Sequence, residues 1–505
     1  MKKHFEVHPF IFGVFPILFL YLNNLEEVSF YQMIIPFSVM LLLIFLLQLF
    51  LSIFYKDKHK KGLVISLFLL FFFTYGAFHD SVYHLFGRKI ASSLNDYLIY
   101  IWIAIFLILV FFINKKVNKH LNIITKYLNT VSIILFSLIF LNTGINDLQS
   151  YFSSSQNQFK FLNPKNIKFE HFDREKLPNI YYIISDGYGS SNILKREYGY
   201  DNSDFENFLK QNGFYIASNS RSNYAETMLS FASALNMEHI NKLGANVRFP
   251  LLYNMIQDNN VMRFLKSIGY KTIDISSNIG KLQHIRAANF NETPGNFLAD
   301  EFHSTIIETT MLKAFKKELN LVYFYRKKIL NTFKDLGEVH LKYKSPFFVF
   351  VHILPPHPPY VFGPNAEPIF GSLNLKDWGE MWQQKNLYRD QVIFVNGMLK
   401  KVLHKILSES KNDPIIIIQG DHGPLLNNKN KIDTRMHIFN AIHLTKDKKN
   451  FIYSSITPVN TFRLIFNNYF HTNFKLLEDK SYYTEYKVPY NFVDVTDLVT
   501  QKKLK

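Results

Sequence analysis

The chain has 505 residues, 48% of them hydrophobic and 19% charged, with a net charge of +17 and no cysteine. That length exceeds one ordinary core and points to at least two units. The absence of cysteine excludes a disulfide framework, so any part outside the cytoplasm rests on its own packed core.

The hydrophobic residues crowd into the first 145 positions as five blocks, roughly 9–22, 30–55, 63–78, 97–113 and 128–145. Most approach or exceed the ~20 apolar residues that cross a bilayer. The first block is short, and a signal peptide is its rival reading. It runs on into Asn23-Asn24-Leu25-Glu26-Glu27 with no small-residue cleavage site, which favours a retained anchor.

Loop charge then sets the orientation. Lys2 and Lys3 precede the first block, four lysines from Lys56 to Lys61 fill the second loop, and Lys115, Lys116 and Lys119 fill the fourth. The first loop holds only Glu26 and Glu27, and the third balances Arg88 and Lys89 against Asp80 and Asp96. Lysine-rich loops stay in the cytoplasm. Five crossings therefore put the N-terminus inside and everything beyond about Asn146 outside, the arrangement of a multi-pass plasma membrane protein. Residues 146–177 are polar and rich in serine and asparagine, as in Ser153-Ser154-Ser155-Gln156-Asn157-Gln158, and read as a juxtamembrane linker. Residues 178–505 then form one extracytoplasmic domain.

That domain alternates strands and helices. Residues 179–185 form an apolar run that ends in Asp186-Gly187. From Ala225 the spacing of Met228, Leu229, Phe231, Ala232 and Leu235 predicts a helix with one buried face, and Thr227 falls in its first turn. A helix is expected near 259–268, a strand at 271–276 and a long amphipathic helical region over 309–336. A third apolar run, 346–351, leads to His352 and to His357, which stands among Pro355, Pro356, Pro358 and Pro359. Prolines restrict that backbone and hold His357 still. A helix over 385–408 precedes four isoleucines, Ile415 to Ile418, that run into Asp421-His422-Gly423. An unbroken β-branched run is the mark of a strand buried on both faces. Arg435 lies just before the apolar segment 437–444, and Thr457-Pro458 opens a further helix that carries Arg463. The pattern predicts an α/β domain with a mostly parallel central sheet covered on both faces.

Open α/β sheets place their chemistry at the carboxyl ends of the strands. Three strand tips here carry polar groups: Asp186, the pair His352 and His357, and the pair Asp421 and His422. A carboxylate oxygen with an imidazole suits one divalent metal, zinc in preference to manganese. Thr227 by itself reads as a helix cap. Beside two such strands it becomes a candidate nucleophile, at a helix start that favours bound phosphate. Arg435 is a candidate phosphate clamp, against the plain alternative of a solvated arginine. His352 and His437 are weaker candidates, and for Arg463 the structural and functional readings are equal.

As a set, Asp186, Thr227 in T-x-x-S, His357 in H-P-P-Y and Asp421-His422-Gly423 resemble the alkaline phosphatase/sulfatase superfamily. Within it the chain is similar to the membrane-anchored lipid A phosphoethanolamine transferases and lipoteichoic acid synthases. The resemblance covers roughly residues 175 to 470, and the membrane block agrees in type. It implies that Asp186, Thr227, Asp421 and His422 ligate the metal. It also implies that Thr227 carries the phospho-group covalently and that His357 holds the phosphate. The chain departs from those two groups in using Asp186 where a glutamate is usual, and Phe231-Ala232-Ser233 replaces the proline and cysteines that follow the nucleophile in the phosphoethanolamine enzymes. No C/S-x-P-S-R segment is present, so a sulfatase label would describe the fold and not the reaction.

Three functions are expected from this reading. The first is transfer of a phospho-headgroup from a phospholipid to an envelope glycan or lipid. The second is hydrolysis at the same site with water as acceptor. The third is a non-catalytic membrane-anchored binding protein, which the intact set Asp186, Thr227, Asp421 and His422 argues against. Residues 1–150 hold 12 Lys/Arg and 7 Asp/Glu, so +12 of the net charge lies beyond them. A basic outer domain suits membrane lipids and an anionic phospholipid or glycan substrate; a lysine-rich composition is the plain alternative. Nucleic acid does not fit a membrane protein with its domain outside.

Overall fold

The computed structural model describes residues 6–500, apart from 26, 27, 29, 117–119, 155–176, 242–248, 276–284, 293–300, 317, 370–377, 446–450 and 486–487. The chain divides into two compact units, Met1–Gln156 with Phe297–Leu321, and Asn157–Asn296 with Val322–Lys505. Most of the expected juxtamembrane linker lies outside the described residues.

The first unit contains α1 (His8–Asn23), α2 (Phe30–Leu51), α3 (Lys58–Lys116) and α4 (Leu121–Ser154). Four stretches are long and apolar enough to cross a membrane: Phe30–Leu51, Lys58–Phe86, Tyr97–Lys115 and Leu121–Leu141. With α1, a shorter apolar helix of 16 residues, they account for the five blocks. Large side chains such as Phe45, Phe50, Leu107 and Leu141 point outward and are more than half exposed. A surface that apolar is suited to lipid, not to water.

Two expectations change here. The polar loop between the third and fourth blocks is helical, so both blocks belong to α3. A straight helix of 59 residues would be roughly 90 Å long. Yet the Trp102 ring lies 4.6 Å from that of Phe71 and 4.4 Å from that of Phe78, and Lys60 Nζ donates to Asn114 O at 3.4 Å. Residues so distant in sequence meet only if α3 doubles back, so the two blocks run antiparallel as a hairpin. Residues 79–96 contain no proline, but Gly87 lies between the two blocks. The second change is that helix α4 runs on to Ser154 and absorbs the start of the expected linker.

In the second unit seven strands form one sheet: β1 (Ile180–Ser185), β2 (Phe214–Ile216), β3 (Lys271–Ile275), β4 (Phe290–Glu292), β5 (Phe347–Ile353), β6 (Ile415–Gly420) and β7 (Asn440–His443). Their order is β2-β7-β6-β1-β5-β3-β4. The pairs β1–β5, β1–β6, β3–β5 and β3–β4 are parallel, and β7 is antiparallel to both its neighbours. Every residue of β1, β5 and β6 is buried, as their unbroken apolar runs require. A small antiparallel pair, β8 (Tyr482–Glu485) and β9 (Val488–Asp494), stands apart from this sheet.

The helices at Asn260–Ser267, Lys385–Glu409 and Pro458–Tyr469 fall where the sequence placed them. Thr457 precedes the last one, but its hydroxyl donates to Asp479 Oδ1 at 2.7 Å and makes no cap bond. The long helical region expected over 309–336 is broken. It comprises a helix Glu301–Thr309, a 3-10 turn Met311–Phe315 and a helix Leu321–Lys342. The break lies at Thr310, whose hydroxyl accepts from Leu312 N.

Just past β6, Gly423 passes very close to other backbone. A Cβ at Gly423 would stand 2.0 Å from Thr434 O and 2.9 Å from His437 O. Gly423→Ala is therefore expected to destabilise the domain by about 1–3 kcal/mol, the usual cost of overpacking. A lowered midpoint of chemical denaturation would show it; an unchanged midpoint would mean that this turn has room to relax.

Candidate metal centre

Level strand ends build the site. Ser185 pairs with Ile353 on one side and Gly420 on the other, so the residues after these three leave the sheet at the same edge. Asp186 and Asp421 thus arrive side by side although more than two hundred residues separate them. Asp186 N donates to Ile353 O at 2.9 Å. Asp421 Oδ1 accepts from Gly187 N at 3.0 Å and from His422 N at 2.9 Å. Its carbonyl accepts from the hydroxyls of Ser222 at 2.5 Å and Ser230 at 2.9 Å. Ser230 closes the T-x-x-S motif, and its bond ties the Thr227 helix to the tip of β6.

The helix Thr227–Asn236 starts at the site. Glu226 occupies the cap position with extended backbone, and Thr227 is the first helical residue. Thr227 Oγ1 lies 3.2 Å from His422 Nε2. The same nitrogen is 3.5 Å from Asp186 Oδ1 and 3.4 Å from Asp421 Oδ2. Both of those oxygens are buried and take no hydrogen bond of ordinary geometry. Such atoms are costly to leave unpaired. His422 Nδ1 faces Gly423 O at 3.1 Å. If that nitrogen donates, Nε2 keeps its lone pair for the site, the arrangement typical of metal-binding histidines. Two orphaned carboxylate oxygens, one imidazole nitrogen and one hydroxyl therefore converge, and this donor set fits a divalent cation such as zinc.

His352 adds a second imidazole. Asp186, His352 and Asp421 can bring ligand atoms within 4.8 Å of one another. His352 Nε2, however, sits 3.2 Å from Asp186 Oδ2, the oxygen turned away from His422. Phe231 packs edge-on against its ring at 4.9 Å. His352 thus lies against Asp186 at the edge of the site.

Charge in the site is strained. Burial, and then the Asp186 carboxylate, push Asp421 up to about 7. Asp186 is also raised by burial, an effect opposed by His357 and Arg435. Burial lowers His352 to about 4 and holds His422 well below the usual imidazole value. Glu226 is raised by burial as well. A divalent cation would reverse the upward shift of the carboxyl groups that bind it and keep the imidazoles neutral.

The remaining candidates are placed as follows. His357 N donates to Asp186 O at 3.0 Å, its Nδ1 lies 2.6 Å from Pro358 O, and its ring meets the edge of Trp382 at 4.8 Å. Burial lowers its pKa, opposed chiefly by Asp186. The His357 and His422 rings are 6.5 Å apart, so His357 borders the same site. Arg435 is buried, and its guanidinium bonds to Ala225 O at 2.6 Å and Gly423 O at 3.2 Å, with Glu226 Oε2 at 3.5 Å. It pins the start of the Thr227 helix to the turn after His422, so most of its donors are committed to the fold. Arg463 works at the other end of that helix, on Met237 O at 2.7 Å. His437 pairs with Asp433 at 3.2 Å. Sequence reasoning missed Ser222, Glu226 and Trp382. None carries a local signal, because each acts through neighbours distant in sequence.

The sulfatase family model matches residues 178–473. This chain belongs to the sulfatase family. Among solved structures, the lipooligosaccharide phosphoethanolamine transferase EptA from Neisseria meningitidis is similar at 10% identity and a TM-score of 0.45, over 95% of this chain and 96% of that one. The zinc complex of the C-terminal periplasmic domain of EptC from Escherichia coli is similar at 14% identity and 0.43, over 67% and 96%. A 2-O glycosaminoglycan sulfatase, BT1596, is similar at 13% identity and 0.39, over 59% and 71%. No curated protein matches the chain.

The raised carboxyl of Asp421 gives this family member a testable pH signature. Without metal, the folded site holds a proton up to about pH 7, while an unfolded aspartate loses it near ~4. The folded state binds more protons in that window, so Asp421 adds stability at low pH that disappears as pH rises through 7. Metal-free wild type should therefore lose Tm relative to Asp421→Asn between pH 5 and pH 8, and added zinc should raise Tm more at pH 8. A Tm difference that stays flat with pH would show that Asp421 is ionised in the metal-free site.

Proposed function

We propose that this protein is a membrane-anchored, metal-dependent transferase that moves a phospho-headgroup from a phospholipid to a cell-envelope glycan or lipid. The observation that carries the proposal is the Thr227 hydroxyl, 3.2 Å from His422 Nε2 at the convergence of Asp186 and Asp421. Membership of the sulfatase family and the apolar helices agree with it.

Asp186, Asp421, His422 and Thr227 would hold the metal. When bound, the ion lowers the pKa of the hydroxyl and polarises a phosphoryl oxygen. The Asp186 and Asp421 carboxylates both interact with the Thr227 hydroxyl and would serve as the base for its proton. Thr227 Oγ attacks phosphorus, its bond to the diacylglycerol oxygen breaks, and the phospho-group stays on threonine. The proton taken from Thr227 passes to the leaving oxygen, and the acceptor hydroxyl gives up its own proton in the second step. His357, protonated once an anionic phosphoryl group raises its pKa, would hold a non-bridging oxygen. Arg435 fixes the attacking helix and adds positive charge nearby, without serving as a primary clamp.

Hydrolysis shares the first step and differs only in the acceptor. Mass spectrometry of the full chain in native lipid should find a phospho-headgroup on Thr227, and an added glycan acceptor should discharge it without release of free headgroup. Thr227→Ala should reduce turnover by at least ~10³-fold while changing stability by only ~1 kcal/mol. Thr227→Ser should keep partial activity. Near wild-type turnover in Thr227→Ala would sink the covalent mechanism.

The proposal also needs the second unit outside the cytoplasm, where outer-leaflet headgroups and envelope acceptors are reachable. Lysines in the N-terminal segment and in the second and fourth loops support that orientation. Protease added to intact cells, or to spheroplasts where an outer membrane exists, should cut beyond residue 178. Protection that is lost only after membrane rupture would overturn the orientation and the substrate together.

A further inference from the structure

Residues 297–321 lie between stretches of the catalytic unit in sequence, yet they pack with the membrane helices. Phe302 is buried in the apolar cluster formed by Ile17 of α1, Met33, Met40 and Ile44 of α2, and Ile65 and Leu69 of α3. Ile306, Met311 and Leu312 pack against that cluster. The fit is close at Gly76 of α3, where a Cβ would lie 2.3 Å from Glu308 O and 2.6 Å from Thr309 Cα. One turn further along α3, Asp80 Oδ1 meets Lys313 Nζ at 2.5 Å, and Lys313 also reaches Glu308 Oε2 at 3.4 Å. Lys316 pairs with Glu308 too. The Lys313 and Glu308 side chains are each only 12% exposed. Ionisable groups this shielded within a membrane block have a specific role and specific partners.

This contact changes how far the catalytic unit can move. The 22 residues 155–176, fully extended, would span about 80 Å at most. Only six residues separate Phe315 from Val322, where the catalytic unit resumes, and that length reaches about 25 Å at most. With residues 301–316 docked, the short tether sets the reach and the long linker does not. A site that works on headgroups at a membrane surface needs that restriction, because an enzyme held near its substrate meets it at a higher effective concentration.

We propose that residues 301–316 are a second, non-covalent anchor that clasps the catalytic unit to α1–α3 independently of the juxtamembrane linker. The clasp combines apolar insertion at Phe302, backbone contact at Gly76 and the Asp80–Lys313 pair. It rests on contacts within the first unit and stands whether the reaction is transfer or hydrolysis.

The test uses the full chain with a protease site placed within 155–176 and an N-terminal affinity tag. The folded protein is nicked in mild detergent and captured by the tag. The fragment beyond the nick should stay bound at more than ten times the level seen for Gly76→Leu, whose side chain displaces Glu308 and Thr309. Asp80→Lys should release the fragment, and the exchange Asp80→Lys with Lys313→Asp should restore capture, which separates loss of the clasp from misfolding. Release of the nicked wild-type fragment would overturn the proposal. So would its retention in both Gly76→Leu and Asp80→Lys, or failure of the charge exchange to restore it.

Discussion

Two buried carboxylates at adjacent strand ends are the constraint on which the catalytic unit depends. Asp186 and Asp421 each keep one oxygen without a hydrogen bond, and both face His422 Nε2. Burial raises the pKa of both carboxyl groups, and the Asp186 charge raises Asp421 further. A divalent cation would satisfy both oxygens at once and, in the mechanism we propose, would also activate the threonine hydroxyl beside them.

Much of the surrounding structure serves to hold those groups at that spacing. The parallel register of β1, β5 and β6 sets the level of the strand tips. Ser222 and Ser230 fix the backbone of Asp421 from the side of the Thr227 helix. Arg435 joins Ala225 to Gly423, so the start of the Thr227 helix and the turn after His422 cannot separate without breaking a buried, charge-assisted bond. Arg463 does the same at the far end of that helix. A side chain that looks suited to a phosphate can thus be committed to the backbone, and buried guanidinium groups are expensive to release.

The membrane unit follows a different logic. Its helices are held by apolar packing with outward faces left bare, a surface that lipid covers at no cost. Its shielded polar contacts include the one where Gly76 and Asp80 meet residues 308–313. That junction brings a piece of the later chain back to the early helices, so the order of residues in sequence does not match the order of units in space.

The sequence by itself determined the five apolar blocks, the α/β alternation and which polar residues stand at the strand tips. Each of these is written in short-range periodicity or at a strand tip. Ile415 to Ile418 followed by Asp421-His422 could be read because strand burial and strand ending are local properties. Tertiary structure alone decided that Arg435 ties backbone together, that His352 meets Asp186, and that residues 297–321 pack with the membrane helices. It also decided that the polar stretch after the third block is helical and reversed. In each case the deciding partner lies tens to hundreds of residues away: Ala225 for Arg435, Asp186 for His352, Gly76 for Glu308, Phe71 for Trp102. Hydrophobic periodicity records which face of an element is buried, but not which distant element covers it. That choice is made by shape and hydrogen-bond complementarity once the chain has folded.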